Sequence, residues 1–232
     1  FPERSDWRGA KNLIELDDGV LELQSGSIVS TDRFKVDPGK KAVLSGEFRT
    51  LPGKKVRVYI GYICLDGAEE VIAVQHVNLI ADSETELTAP VARDDASIYV
   101  RDGSKFAKGS VVAFDAKADL SDLPNRNLSQ GRIGKAEQQA DGTWLIPLDG
   151  KAGYDYPAGG KVRAHMGGGY LYSSIVDLNE NWKTVQGSMT GMALKIGGRK
   201  WWPGTKSARL IIFGASEDNP IFFRNLTLTE EE

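Results

Sequence analysis

The sequence predicts an all-β protein, a jelly-roll β-sandwich carrying an inserted small β-hairpin subdomain, and three observations carry that reading. Glycine and proline, 26 and 9 in number, punctuate the chain at short intervals and supply its turns. The segments between them alternate apolar and polar side chains with a period of two, the signature of half-buried strands. No segment joins a 3.6-residue apolar period to helix caps at both ends.

Taken in order, strands are expected at 20–24 and 28–36, with the Asp37-Pro38-Gly39 turn following. In 41–49, Ala42, Leu44 and Phe48 share one face, while Lys41, Ser45, Glu47 and Arg49 fall on the other. Leu51-Pro52-Gly53 turns the chain into 56–62, where Val56, Val58, Ile60 and Tyr62 point inward. Cys64 sits in the apolar run Tyr62-Ile63-Cys64-Leu65 and reads as a buried small hydrophobe; as the only cysteine, it excludes an internal disulfide. Further strands are expected at 71–80, 97–101, 110–115, 143–148, 161–166, 170–176, 182–190, 207–214 and 221–229. Many short strands with turn signals between them argue for a sandwich or jelly roll. Glu230-Glu231-Glu232 reads as a solvated tail.

Residues 88–163 read as a set of hairpins of their own, inserted between the two parts of a discontinuous sandwich, 1–87 and 164–232. A sandwich accepts such an insertion at a loop whose ends lie close together.

The charge balance, 29 basic against 32 acidic residues, gives a net of -3 and disfavours a phosphate-neutralising surface, so nucleic acid is not an expected partner. No stretch approaches the roughly 20 apolar residues of a membrane helix, so membrane insertion is not expected either. The opening Phe1-Pro2-Glu3-Arg4 has neither an initiator Met nor a signal peptide and reads as the start of a mature or trimmed chain from which any targeting segment has been removed.

The run STDRFKVDPGKKAVLSGEFRT, followed by VRVYIGYICLDG, resembles the opening of carbohydrate-binding-module-like jelly rolls of the galactose-binding-like type. NWKTVQGSMTG, KWWPGTKSARLIIFGA and NPIFFRNLTLTE resemble their closing strands. The middle piece looks like an inserted β-element of bacterial surface and polysaccharide-processing proteins and of some phage tail proteins. The resemblance implies a secreted or surface protein that binds a polysaccharide or other glycan without catalysis, as part of a larger surface assembly. It also implies a structural calcium ligand early in the last strand. The matching position is Arg224, a cation, so no metal and no cofactor are expected.

Sugars stack their C–H faces on aromatic rings while polar side chains meet the hydroxyls. Pro203 biases Trp202 toward extended geometry, so the Trp201 and Trp202 indoles should diverge, Trp202 into the core and Trp201 outward as a platform. Tyr170 and Tyr172 follow a glycine run on a common face. Arg57, Tyr59, Arg163 and His165 complete the expected ligand-binding set. No catalytic residue is assigned. His76, in an expected strand, and His165 lack metal-ligand spacing, and no G-x-S-x-G nucleophile occurs. Two alternatives stand beside glycan binding. One is a structural or attachment module of a surface array or phage tail. The other is a jelly-roll polysaccharide lyase using Arg57, Tyr59, Gln75, His76 and Arg163.

Overall fold

A computed structural model describes residues 3–8 and 10–231; Phe1, Pro2, Gly9 and Glu232, which include the opening dipeptide and the end of the acidic tail, lie outside the described residues. The strands, in chain order, are β1 (Trp7–Arg8), β2 (Leu13–Glu15), β3 (Leu21–Leu23), β4 (Gly26–Ser30), β5 (Phe34–Lys35), β6 (Lys41–Arg49) and β7 (Val56–Leu65). They continue with β8 (Thr85–Glu86), β9 (Ser97–Val100), β10 (Val111–Phe114), β11 (Leu128–Arg132), β12 (Glu137–Gln138), β13 (Trp144–Pro147) and β14 (Lys161–His165). The last four are β15 (Leu171–Leu178), β16 (Lys183–Met189), β17 (Ser207–Ala215) and β18 (Ile221–Glu231). Helical structure among the described residues is confined to four 3-10 turns of three residues each. The protein is all-β.

The chain forms two units. The first comprises Phe1–Val71, Tyr170–Ala193 and Gly197–Glu232. It is a sandwich of two antiparallel sheets. One runs β1-β4-β17-β7-β15, with β5 paired to β17, and the other runs β16-β6-β18-β3-β2. The period-two pattern decides which side chains fill it. Val58, Ile60, Tyr62 and Cys64 of β7 and Ala208 and Leu210 of β17 are fully buried on the first sheet. Leu23, Phe48, Ile221 and Phe223 are fully buried on the second. Phe223 stacks on Phe48 at 5.9 Å and meets Trp7 edge-on at 5.7 Å, so it ties a strand of one sheet to a strand of the other. Each such large side chain contributes about 1.5–3 kcal/mol through removal from water. Burial also pushes the Cys64 thiol up to about 11, as expected of an inert core cysteine.

The second unit is Ile72–Gly169 with Leu194–Ile196. It has a four-stranded sheet, β11-β10-β14-β8, a three-stranded sheet, β12-β13-β9, and a core of its own. Ile98, Val100, Val112, Phe114, Ile146 and Val162 lie in that core. Phe114 stacks flat on Tyr156, with ring centres 3.9 Å apart.

Several expectations are corrected. The second unit begins near residue 72 and ends near 169, where 88 and 163 were expected, because β8 pairs with β14 and so binds residues before 88 to the insertion. The 71–80 stretch is not a strand. Val74–His76 is a 3-10 turn in which His76 Nδ1 accepts the Ala73 N–H at 3.2 Å and Asn78 N–H donates to Val74 O at 2.8 Å. The 28–36 strand is interrupted after Ser30, whose hydroxyl donates to Asp32 O at 2.7 Å. Glu230 and Glu231 belong to β18 and pair with Lys40 and Lys41.

Candidate functional site

The outward face of the first sheet collects several aromatic side chains that the sandwich does not bury. On β7 the inward residues Val58, Ile60 and Tyr62 leave Arg57 and Tyr59 pointing out. On β17 the same alternation exposes Phe213, which lies opposite Tyr59 in the ladder. On the other side of β7, β15 places Ile175 opposite Tyr59 and Asp177 opposite Arg57. The register of β15 shifts between Tyr172 and Ser174, and the Ser173 hydroxyl turns inward to Ile60 O at 3.2 Å. That bulge puts Tyr172 and Ile175, three residues apart, on one face.

Tyr59 is the hub. Its ring centre is 5.0 Å from Tyr172 and 5.5 Å from Phe213, and Tyr170 meets Tyr172 edge-on at 6.4 Å. Gly61 makes the approach possible. A Cβ at that position would lie 2.2 Å from Leu171 O and 2.7 Å from Tyr172 Cα, so a larger residue would force β15 away from β7. Phe213, Tyr170 and Ile175 are 41%, 45% and 53% exposed, a continuous apolar strip left in water.

One end of the strip is polar. Arg57 Nε donates to Asp177 Oδ1 at 2.7 Å and Arg57 Nη2 to Oδ2 at 3.1 Å, a two-point pair in solvent. The pairing raises the Arg57 pKa and lowers that of Asp177. So exposed a pair contributes little stability, but it holds two polar groups in fixed geometry beside the rings. Tyr59 adds a smaller contribution to the rise in the Arg57 pKa. Lys55 and Asn179 complete a shallow depression around this pair.

Four of the seven residues expected to bind ligand, Arg57, Tyr59, Tyr170 and Tyr172, therefore converge on one sheet face. Three do not. Trp201 was expected to face solvent and is 1% exposed; its indole packs 4.7 Å from Tyr62 and 6.1 Å from Phe34, and its backbone is tied to Gly191 and Ala193. Trp202 is buried as expected, so both indoles meet protein.

Arg163 and His165 belong to the second unit and are 2% and 0% exposed. Arg163 Nη2 pairs with Asp122 Oδ2, and its Nε donates to His165 Nε2 at 2.8 Å. His165 Nδ1 faces Gln75 O at 2.7 Å. Their polarity satisfies a core and is not offered to a ligand. Phe213, Ile175 and Asp177 were missed. The alternation in Ala208-Arg209-Leu210-Ile211-Ile212-Phe213 does put Phe213 outward, and that signal was available.

Arg224, at the position where the resemblance implied a calcium ligand, is engaged otherwise. Its Nε donates to Glu47 Oε2 at 2.9 Å and its guanidinium lies 4.3 Å over the Trp182 ring. Among the described residues no three His, Cys, Asp or Glu side chains converge on a common point.

The fold and the site together define an all-β protein of two units, with a β-sandwich that displays an aromatic strip on one sheet. No family model matches the chain. No curated protein matches it. Among solved structures, one described as "CBM4 structure and function" aligns over 93% of this chain and 74% of its own, at 8% identity and a TM-score of 0.35. A likeness that loose bears on neither ligand nor activity.

Proposed function

We propose that the chain is a non-catalytic carbohydrate-binding module whose glycan lies on the Tyr170–Tyr172–Tyr59–Phe213 strip, with its hydroxyls meeting Arg57 and Asp177. The observation that carries this reading is the strip itself. Rings held in tilted and edge-to-face contact at 5.0–6.4 Å along a sheet, with an ion pair beside them, suit the apolar faces and ring of hydroxyls of a sugar chain. An extracellular or surface location belongs to the same proposal, as does membership of a larger surface assembly.

The lyase alternative is disfavoured by one specific feature. Arg163, one of the groups expected to neutralise a uronate carboxylate, is buried and committed to Asp122. Affinity electrophoresis of the full chain against a panel of neutral polysaccharides tests the proposal. Tyr59→Ala and Phe213→Ala should each weaken binding by about 1–3 kcal/mol, by analogy with stacking on nucleic-acid bases, with little change in melting temperature. Retention of any polysaccharide by wild type and both variants alike would remove the strip from the mechanism.

A further inference from the structure

The outward face of the second sheet holds a different arrangement. Arg49 of β6 lies opposite Phe222 of β18, with its guanidinium carbon 4.5 Å from that ring centre and 5.1 Å from the ring of Trp182, which immediately precedes β16. Arg224 lies 4.3 Å over the same indole, so two guanidinium groups share one ring.

Their compensation differs. Arg224 is paired with Glu47, whose Oε2 also accepts from Asn225 Nδ2 at 2.8 Å. The bulge at Asn225, a non-glycine residue at φ 51°, brings Arg224 and Asn225 to the same carboxylate. These bonds, Asn225 first and then Arg224, hold the Glu47 carboxyl below the ordinary range. Arg49 has no such partner. Among the described residues no carboxylate pairs with it, and its Nε–H is buried without an acceptor. Glu22, opposite Phe222 on β3, does not close on it.

A guanidinium stacked on aromatic rings has its faces covered and its edge left over, and that edge matches a planar carboxylate in two-point geometry. The sheet around it is polar. Thr184 lies opposite Glu47 on β16, while Gln186 and Thr227 flank Ser45. These hydroxyl and amide groups are suited to sugar hydroxyls.

We propose that this face is a second binding site, distinct from the aromatic strip, and that Arg49 receives the carboxylate of a uronic-acid residue in an acidic polysaccharide. The proposal rests on the carbohydrate-binding reading only for the chemical class of the ligand. The missing counter-charge at Arg49 stands apart from the strip on the other sheet.

The test is isothermal titration of the full chain with polygalacturonate, dextran sulfate and a neutral galactan. Wild type should bind polygalacturonate, and Arg49→Gln should weaken that binding roughly tenfold or more, while leaving any binding of the neutral galactan unchanged. Arg49→Lys keeps the charge and the aliphatic stem and so guards against a folding defect. It should melt near wild type and still lose most of the affinity, because an ammonium cannot present the flat fork. Failure of wild type to bind polygalacturonate, or full binding by Arg49→Gln, overturns the proposal. Equal Arg49-dependence for dextran sulfate overturns the carboxylate assignment. The aromatic strip is judged separately, by Tyr59→Ala on neutral polymer, so either reading can fail alone.

Discussion

Lowering the pH should loosen the second unit through a single imidazole. His165 is fully buried on β14, where Nδ1–H donates to Gln75 O and Nε2 accepts from Arg163 Nε–H. Only the neutral ring satisfies both contacts, and the tautomer follows from its partners. Burial first, and then the Arg163 charge, push its pKa from 6.5 down to about 4. Between those values the unfolded chain holds a proton that the folded one refuses, so stability rises with pH through the window. The contribution is complete above 6.5 and drains away as the pH falls toward 4. A shift of that size corresponds to about 3 kcal/mol between roughly pH 7 and pH 4. Four of the five tryptophans lie in the first unit, so fluorescence would report mainly on that unit. Urea-dependent hydrogen exchange at the Val112, Val162 and Ala164 amides reads the second unit directly. His165→Gln is less stable at neutral pH but lacks this titration, and wild type should lose about 3 kcal/mol more than the variant across the window. Parallel losses in both proteins would refute the assignment of a neutral buried ring.

Two further outcomes follow from burial in the first unit. Trp201→Ala and Trp202→Ala should each cost about 3–5 kcal/mol of stability in chemical denaturation, since both indoles fill the core; a variant that melted like wild type would place its ring at the surface. Cys64, with its thiol pushed up to about 11, should resist a maleimide in native protein and react at once in denaturant, and stoichiometric native labelling would contradict its position on β7.

The strands that the sequence made legible are those with one face in the core. In β6, β7, β17 and β18, alternation reports burial directly, and the expected spans agree with the observed ones to within a few residues. The stretch Val71–Ile80 misled because its apolar residues mimic a strand. The amides of Ala73, Val77 and Asn78 are satisfied locally instead, by His76 Nδ1 and Val74 O, and composition does not encode that choice. Trp201 misled for another reason. Dihedral preferences of the Trp-Trp-Pro-Gly turn fix where two side chains diverge, but whether water or protein waits there depends on Tyr62 and Phe34, far away in sequence. The site was half legible. Tyr59, Tyr170 and Tyr172 were singled out separately, whereas their convergence depends on ladder register, on the β15 bulge and on Gly61.

The pairing of β7 with β15 bears on how the chain folds. These neighbours form an antiparallel pair, yet the connection between them is residues 66–170 and contains all of the second unit except Leu194–Ile196. Closing a disordered loop of that length costs about 3 kcal/mol more than closing a five-residue turn. A second unit that is already folded fixes its own two ends and removes most of that entropy. Folding should therefore be ordered, with the insertion first and β15 zipping onto β7 afterwards. The last part of the sandwich to form would then be the edge that carries Tyr172, so slow recovery of the aromatic strip after refolding would mark the final step.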